Sequence, residues 1–417
     1  MIIFVCIFIK TLVHFYKNCI DQHTPMIHLV QNVVMELCCS QSQYQRYSLV
    51  NFKGEKYQKC SNVSKTYHKT GPIAKIVTST LKQAGFVQKN DTDADLLYYT
   101  SAKIELFKQM KPYQKVQQVP YHREFVKKQR LAVNLQGNRY VPKSWVFPSQ
   151  MQEFAKDYVE GRYYILKNSQ HSTENSPKLV RNLQDINLAD KQVIQEYLDP
   201  LLINGYKFHL RVYIVITNVK PMIVYYYPEG LVWFATEKYE QPDESNYQNS
   251  QMHFSNFAKN GHHVSDLGDG IESRMRLSWL RRYLKMHHNR DLNQELHKLF
   301  QSVFAQLRTA IYKHKADFEQ NYFGLYGADV MVTEDLQFKL LDIILQPSLG
   351  TQTQVDKDVK SQLVVDYLHL GGIKCEKQRQ STLNEKLRIQ LQIDEENARK
   401  GDFVRVLPTR SELEKEL

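Results

Sequence analysis

The sequence predicts an α+β chain, α/β in its N-terminal part, in which helices flank a central antiparallel sheet. Three observations predict it. Short apolar, β-rich runs separated by polar turns fill the middle of the chain. Amphipathic helical stretches lie on both sides of them. Residues 327–345 read as a strand, a turn at Thr333-Glu334-Asp335, and a returning strand that leads to Pro347-Ser348. Strands and helices in this mixed order argue for an antiparallel sheet in the main domain. A chain of 417 residues holds one large domain or two to three smaller ones.

Residues 1–60 are heterogeneous. The apolar run 2–9 stops at Lys10, too short to span a bilayer. It lacks the preceding charge and following small-residue site of a signal peptide, and reads as a buried strand or helix or a misassigned start. Residues 27–37 look weakly helical. Residues 64–135 look like a small α/β unit: an amphipathic helix at 73–84, a short strand at 95–99 and a basic helix at 122–135. The segment 137–148, with Pro142 and Pro148, reads as a linker followed by a helix at 149–159.

Short strands are expected at 163–167, 193–197, 208–216, 222–227 and 231–235. Alternation along 208–213 points His209 and Arg211 to one face. Residues 240–270, rich in Asn, Gln, Gly and Ser, read as a long loop. Residues 277–318 read as one long helical region, and helices are expected at 355–368 and 383–400.

Composition sets the class. Hydrophobic content of 42% and charged content of 24% are those of an ordinary soluble globular protein. The net charge of +11 favours an acidic partner. No motif supports nucleic acid, and no membrane association is expected. Cys6, Cys19, Cys38, Cys39, Cys60 and Cys375 form no CxxC pair and no zinc-type spacing, which reads as free thiols in a reducing compartment.

Several segments in order carry a resemblance. They are Gln114-Lys115-Val116, Lys127-Lys128, Tyr140 to Pro148, Tyr164-Ile165-Leu166-Lys167, Gln195 to Leu202, Gly205 to Tyr213, His253-Phe254-Ser255-Asn256, the hairpin at 323–349, and Glu396 to Phe403. Together they resemble the tubulin-tyrosine-ligase-like proteins, a branch of the ATP-grasp ligases, over roughly residues 70–408. The resemblance implies an ATP-grasp-like fold with an N-terminal extension (1–62), an N-terminal α/β domain (63–145), a ligase domain (146–375) and a helical tail (376–417).

It also implies ATP and Mg²⁺ as cofactors. A ligase of this kind makes an acyl phosphate that an amino group then displaces, so phosphate charge and metal must both be held. The positions that match the family's motifs place phosphate contacts at Lys128, Lys167 and Lys207. Arg211 falls near the phosphates and the incoming amino acid, which puts Arg211 and Lys207 in catalytic positions. The main chain of Gln195, Glu196, Tyr197 and Leu198 matches the adenine hinge, and Asn256 falls in a further nucleotide motif. The metal-ligand positions fall on Thr333, Asp342 and Ile344.

The sequence departs from that pattern in the catalytic parts. No glycine occurs between Gly161 and Gly205, where the family has a phosphate-cradling loop. His209 stands for an aspartate and Trp233 for an arginine. Thr333 is a weak neutral ligand and Ile344 is none, so Asp342 alone keeps its charge, with Asp329 and Asp335 as possible substitutes. The expectation is a catalytically impaired protein that binds tubulin, microtubules or other axonemal proteins in the cytoplasm, cytoskeleton or a ciliary axoneme. The acidic tails would meet Arg123/Lys127/Lys128/Arg130 and Arg274/Arg276/Arg281/Arg282/Lys285. The alternatives are an active tubulin polyglutamylase, joining glutamate to a tubulin tail carboxylate, and a ligase with another substrate.

Overall fold

A computed structural model describes residues 50, 52, 65–168, 177–187, 191–255, 266–314, 321–373, 385–409 and 411–412. The apolar start, the helix expected at 27–37, all six cysteines and Asn256 lie outside the described residues.

Among the described residues the first elements are β1 (Thr66–Thr70), α1 (Lys75–Gln83), β2 (Val87–Lys89), β3 (Leu96–Tyr99), α2 (Ile104–Gln109) and β4 (Lys115–Val116). These strands form a parallel sheet in the order β2-β1-β3-β4. Parallel neighbours need crossovers, and α1 supplies one, burying Val77 and Leu81. Next come α3 (Arg123–Val126), α4 (Lys128–Asn134), β5 (Ser144–Phe147), α5 (Met151–Asp157), β6 (Tyr164–Asn168), β7 (Lys178–Val180) and β8 (Gln192–Glu196). The last four strands form an antiparallel sheet, β5-β8-β6-β7.

The rest is β9 (Leu202–Ile203), β10 (Tyr206–Val219), β11 (Met222–Phe234), α6 (Ser250–His253), β12 (Arg274–Arg276), α7 (Leu277–His288), α8 (Leu292–Tyr312), β13 (Gly324–Val332), β14 (Phe338–Leu345), α9 (Gln354–Gly371), α10 (Glu385–Arg399) and β15 (Val404–Leu407). A large antiparallel sheet runs β12-β11-β10-β13-β14, with β15 on β11 and β9 on β10. The expected α+β class with a central antiparallel sheet is therefore observed.

Both faces of the large sheet are covered, which explains why β10 is buried almost throughout. Leu210, Val212, Ile214 and Ile216 join a core with Leu280, Leu284, Phe300 and Phe304 of α7 and α8. Tyr213 and Val215 face the other way, into a core with Leu363 and Tyr367 of α9, Val77 of α1, and Tyr67 and Leu96 of the N-terminal sheet. The small sheet has its own core, Trp145, Phe154, Tyr164 and Ile194.

Several boundaries differ from the expectation. The basic helix at 122–135 is two helices, because Lys127 takes an extended backbone between them. The region 277–318 is likewise split: Asn289 ends α7 in a left-handed turn, and the Asp291 side chain caps α8 by accepting from Asn293 N and Gln294 N. The strands expected at 222–227 and 231–235 are one strand, β11, carried through Pro228-Glu229-Gly230 by a register shift against β10. A Cβ on Gly230 would run into the Arg211 carbonyl, so this bulge needs glycine. The linker 137–148 contains β5, and the loop 240–270 contains the short helix α6.

Candidate functional site

Polar side chains cross the large sheet in a row at the level of Arg211. Register pairs Trp233 with Arg274 and with His209, Arg211 with Asp329, and Asp329 with Asp342. Alternation thus placed His209 and Arg211 on one face, as expected. Arg211 donates to both Asp329 carboxylate oxygens, from Nε at 2.5 Å and Nη2 at 3.0 Å. Its guanidinium also lies 4.5 Å from the Trp233 ring centre. Burial would raise the Asp329 carboxyl, but Arg211 and His209 hold it below its ordinary value. His209 bonds Ser255 Oγ at 2.5 Å, and burial pushes its pKa down to about 4, so the ring is neutral at pH 7.

Lys167 reaches from the small sheet to the large one. Its Nζ donates to the Leu341 carbonyl at 2.9 Å. Burial lowers its pKa to about 8, with Asp342 pulling the other way. Asp342 is raised by burial against the pull of Lys167 and Lys128, and its Oδ1 accepts from Ile343 N at 2.9 Å. Lys128, Lys167, Gln195, Glu196 and Asp342 line one cleft of about 650 Å³ between α4, the small sheet and β14. Gln195 Nε2 donates to Ser144 Oγ, and Glu196 pairs with Arg162 at 2.9 Å. β8 ends at Glu196, so Tyr197 and Leu198 lie beyond its last residue.

Lys207 has partners of its own. Its Nζ donates to Tyr197 OH at 3.1 Å and lies 4.3 Å from that ring's centre. Tyr197 OH in turn meets His253 Nδ1 at 3.2 Å. Burial lowers the Lys207 pKa to about 7. Lys207, Tyr197, Leu198 and Arg211 do not line the 650 Å³ cleft.

At the hairpin tip the Thr333 hydroxyl accepts from Gln337 N at 2.9 Å and faces the Asp335 carboxylate and the Gln337 carbonyl as donor. Thr333 N donates to Gln337 O at 2.9 Å. These bonds close the turn between β13 and β14. Ile344 pairs with Gly327 on the same ladder.

The model described as the tubulin-tyrosine ligase family matches residues 107–381, more than half of the sequence. The chain belongs to the tubulin-tyrosine ligase family. It is 28% identical over 382 residues to tubulin polyglutamylase TTLL7 of Homo sapiens, covering 84% of this chain and 43% of the relative. It is 29% identical over 355 residues to tubulin polyglutamylase TTLL5 of Mus musculus, covering 77% and 26%. For tubulin polyglutamylase TTLL6 of Mus musculus the identity is 27% over 354 residues, covering 79% and 41%. The chain thus spans less than half the length of these curated relatives.

The family is one of ATP-dependent ligases, and nucleotide and metal make different demands on the donor set. For a nucleotide, the cleft offers size, two lysines, and Gln195 and Glu196 along one side. Magnesium demands several hard oxygen ligands in near-octahedral array, and the donors do not fit it. The Thr333 hydroxyl is engaged in its turn, Asp329 is engaged by Arg211, and Asp335 by Thr333. Ile344 has no donor, which leaves Asp342. Among the described residues no group of three His, Cys, Asp or Glu could hold a metal.

Sequence reasoning missed one buried cluster beside the site. Asp356 pairs with Arg274 and, at 2.8 Å, with Lys360, all three being buried. The spacing Thr353-x-x-Asp356 signals this region as a helix cap, and both halves of the capping box are present. Arg274 therefore is an internal strut, contrary to its place in the second basic surface patch. Arg281, half-buried, braces the Pro228 carbonyl at 2.6 Å; Arg276, Arg282 and Lys285 stay exposed. In the first patch Arg123, Lys127 and Arg130 are exposed and Lys128 is half-buried. No described helix is long and apolar enough to cross a membrane.

Proposed function

We propose that this member of the tubulin-tyrosine ligase family is catalytically impaired and acts by binding tubulin or microtubules, as a structural component of the cytoskeleton or of a ciliary axoneme. One observation carries the reading: of Asp329, Thr333, Asp335 and Asp342, the hairpin oxygens considered for a metal, only Asp342 is not engaged by another side chain, Asp329 being held by Arg211 and Asp335 by Thr333. A triphosphate left without its metal is poorly neutralised for transfer. The net charge of +11 and the exposed Arg123, Lys127 and Arg130 suit an acidic, glutamate-rich tail.

The experiment combines co-sedimentation and transfer. The chain should pellet with microtubules, less so after removal of their acidic tails or in an Arg123→Glu/Lys127→Glu/Arg130→Glu variant. It should transfer no labelled glutamate to tubulin with MgATP. Absence of co-sedimentation would sink the binding half of the reading.

The retained Lys128, Lys167 and Lys207, together with relatives that are tubulin polyglutamylases, favour a second reading. There the chain is an active polyglutamylase that forms an isopeptide bond between glutamate and a tubulin tail carboxylate. MgATP-dependent glutamate transfer that disappears in Lys167→Ala would establish it and overturn the first.

A further inference from the structure

The mismatch between nucleotide and metal has an electrostatic consequence. In a metal-assisted site, carboxylates hold the divalent ion and the ion neutralises the phosphates. Here the balance on the inner wall of the cleft is the reverse. Asp157 is neutralised by Lys143 at 2.8 Å and Glu196 by Arg162 at 2.9 Å. Glu153 is exposed on the outer helix α5. Deep in the cleft this leaves Lys128 and Lys167 against the carboxylate of Asp342, whose cross-strand neighbour Asp329 is already paired with Arg211.

Both lysines have donor capacity to spare. An ammonium carries three N–H groups. Lys167 Nζ makes its bond to Leu341 O, and Lys128 Nζ lies 3.4 Å from Asn168 O. Asp342 accepts its bond from the adjacent Ile343 N, and no ion pair within 4.0 Å ties it to either lysine. It sits near Lys167 as a counter-charge, where an arriving anion would compete with it.

We propose, resting on the metal-poor half of the reading above, that this cleft binds the polyphosphate of a nucleoside triphosphate as a bare anion, held by Lys128 and Lys167, with Asp342 acting as an internal counter-ion instead of a metal ligand. Magnesium then helps nothing in the protein and partly neutralises the ligand in solution. The role of Asp342 is opposite in sign to that in a metal-assisted site: there its loss weakens nucleotide binding, here its loss strengthens it.

Calorimetric titration of ATP into the full chain, in EDTA and in excess MgCl₂, tests this. ATP should bind in EDTA at least as tightly as in magnesium. Asp342→Asn should tighten binding in EDTA by about two- to tenfold, the scale of one nearby charge in a partly screened site. Lys128→Ala and Lys167→Ala should each weaken it by about tenfold. Lys128 is half-buried on a short helix, so its variant keeps the test open should Lys167→Ala misfold. A requirement for magnesium, weaker binding in Asp342→Asn, or no ATP binding in either buffer would each overturn the proposal. Microtubule co-sedimentation is read in separate nucleotide-free samples, so a failure there leaves the cleft's result standing on its own.

Discussion

At the scale of single residues, the site is governed by buried charges that have found partners. Arg211 and Asp329 form a two-bond pair on facing strands with side-chain exposures of 7% and 16%. Removing one member leaves the other charged and buried, so Asp329→Asn should destabilise the chain by about 3–5 kcal/mol in urea unfolding. A loss near zero would mean that Arg211 finds water or another carboxylate. The histidines make a second residue-scale prediction. His209 and His253 are both pushed down to about 4 by burial, against about 6.5 in an unfolded chain. Between those values the unfolded chain binds a proton that the folded one does not. Stability should therefore fall as pH drops from 6.5 towards 4, by about 1.4 kcal/mol per pH unit for each histidine. His209→Asn should reduce that slope by one proton, and an unchanged slope would show that the ring does not titrate this way. The shared face of His209 and Arg211 was legible from alternation alone. The partner of Arg211 was not, since 118 residues separate it from Asp329.

At the scale of elements, what sequence pattern locates best is the existence of each helix and strand. The helices at 73–84 and 149–159 and the hairpin at 327–345 all exist, with ends shifted by a few residues. Pattern failed where a local break decides. Extended Lys127 and left-handed Asn289 each divide one periodic stretch into two helices. In β11 the opposite happened: Pro228 and Gly230, residues that usually punctuate a strand, sit in a bulge within one long strand. Helix α9 shows how one residue can serve two purposes. Thr353 caps it, whereas Asp356 both completes the cap and holds Arg274 and Lys360. Thr353→Ala should cost about 1 kcal/mol. Asp356→Asn should cost about 3–5 kcal/mol, because two buried cations lose their counter-charge. Equal losses in chemical unfolding would show that the cap accounts for the whole effect of Asp356.

At the scale of the whole molecule, the cores predict where it opens. The N-terminal sheet, α9 and one face of the large sheet share one core, and α7 and α8 cover the other face. The small sheet packs on its own core around Phe154, and Lys167 is one of its links to the large sheet. Amide hydrogens of β5, β6 and β8 should therefore exchange faster than those of β10 and β13, and ATP should slow them selectively. Uniform protection across both sheets would contradict this independence. By itself the sequence determined the fold class, the family resemblance and the residue types, Thr333 and Ile344, at two positions where the resemblance expects metal ligands, because periodicity and residue type are local properties of the chain. Only the tertiary structure decided which surviving charges are committed. The engagement of Asp329 by Arg211, the strut Arg274–Asp356–Lys360, and the reach of Lys167 to the Leu341 carbonyl all depend on contacts between residues far apart in sequence. Local pattern carries no record of such contacts, and the charge balance of a cleft is set by them.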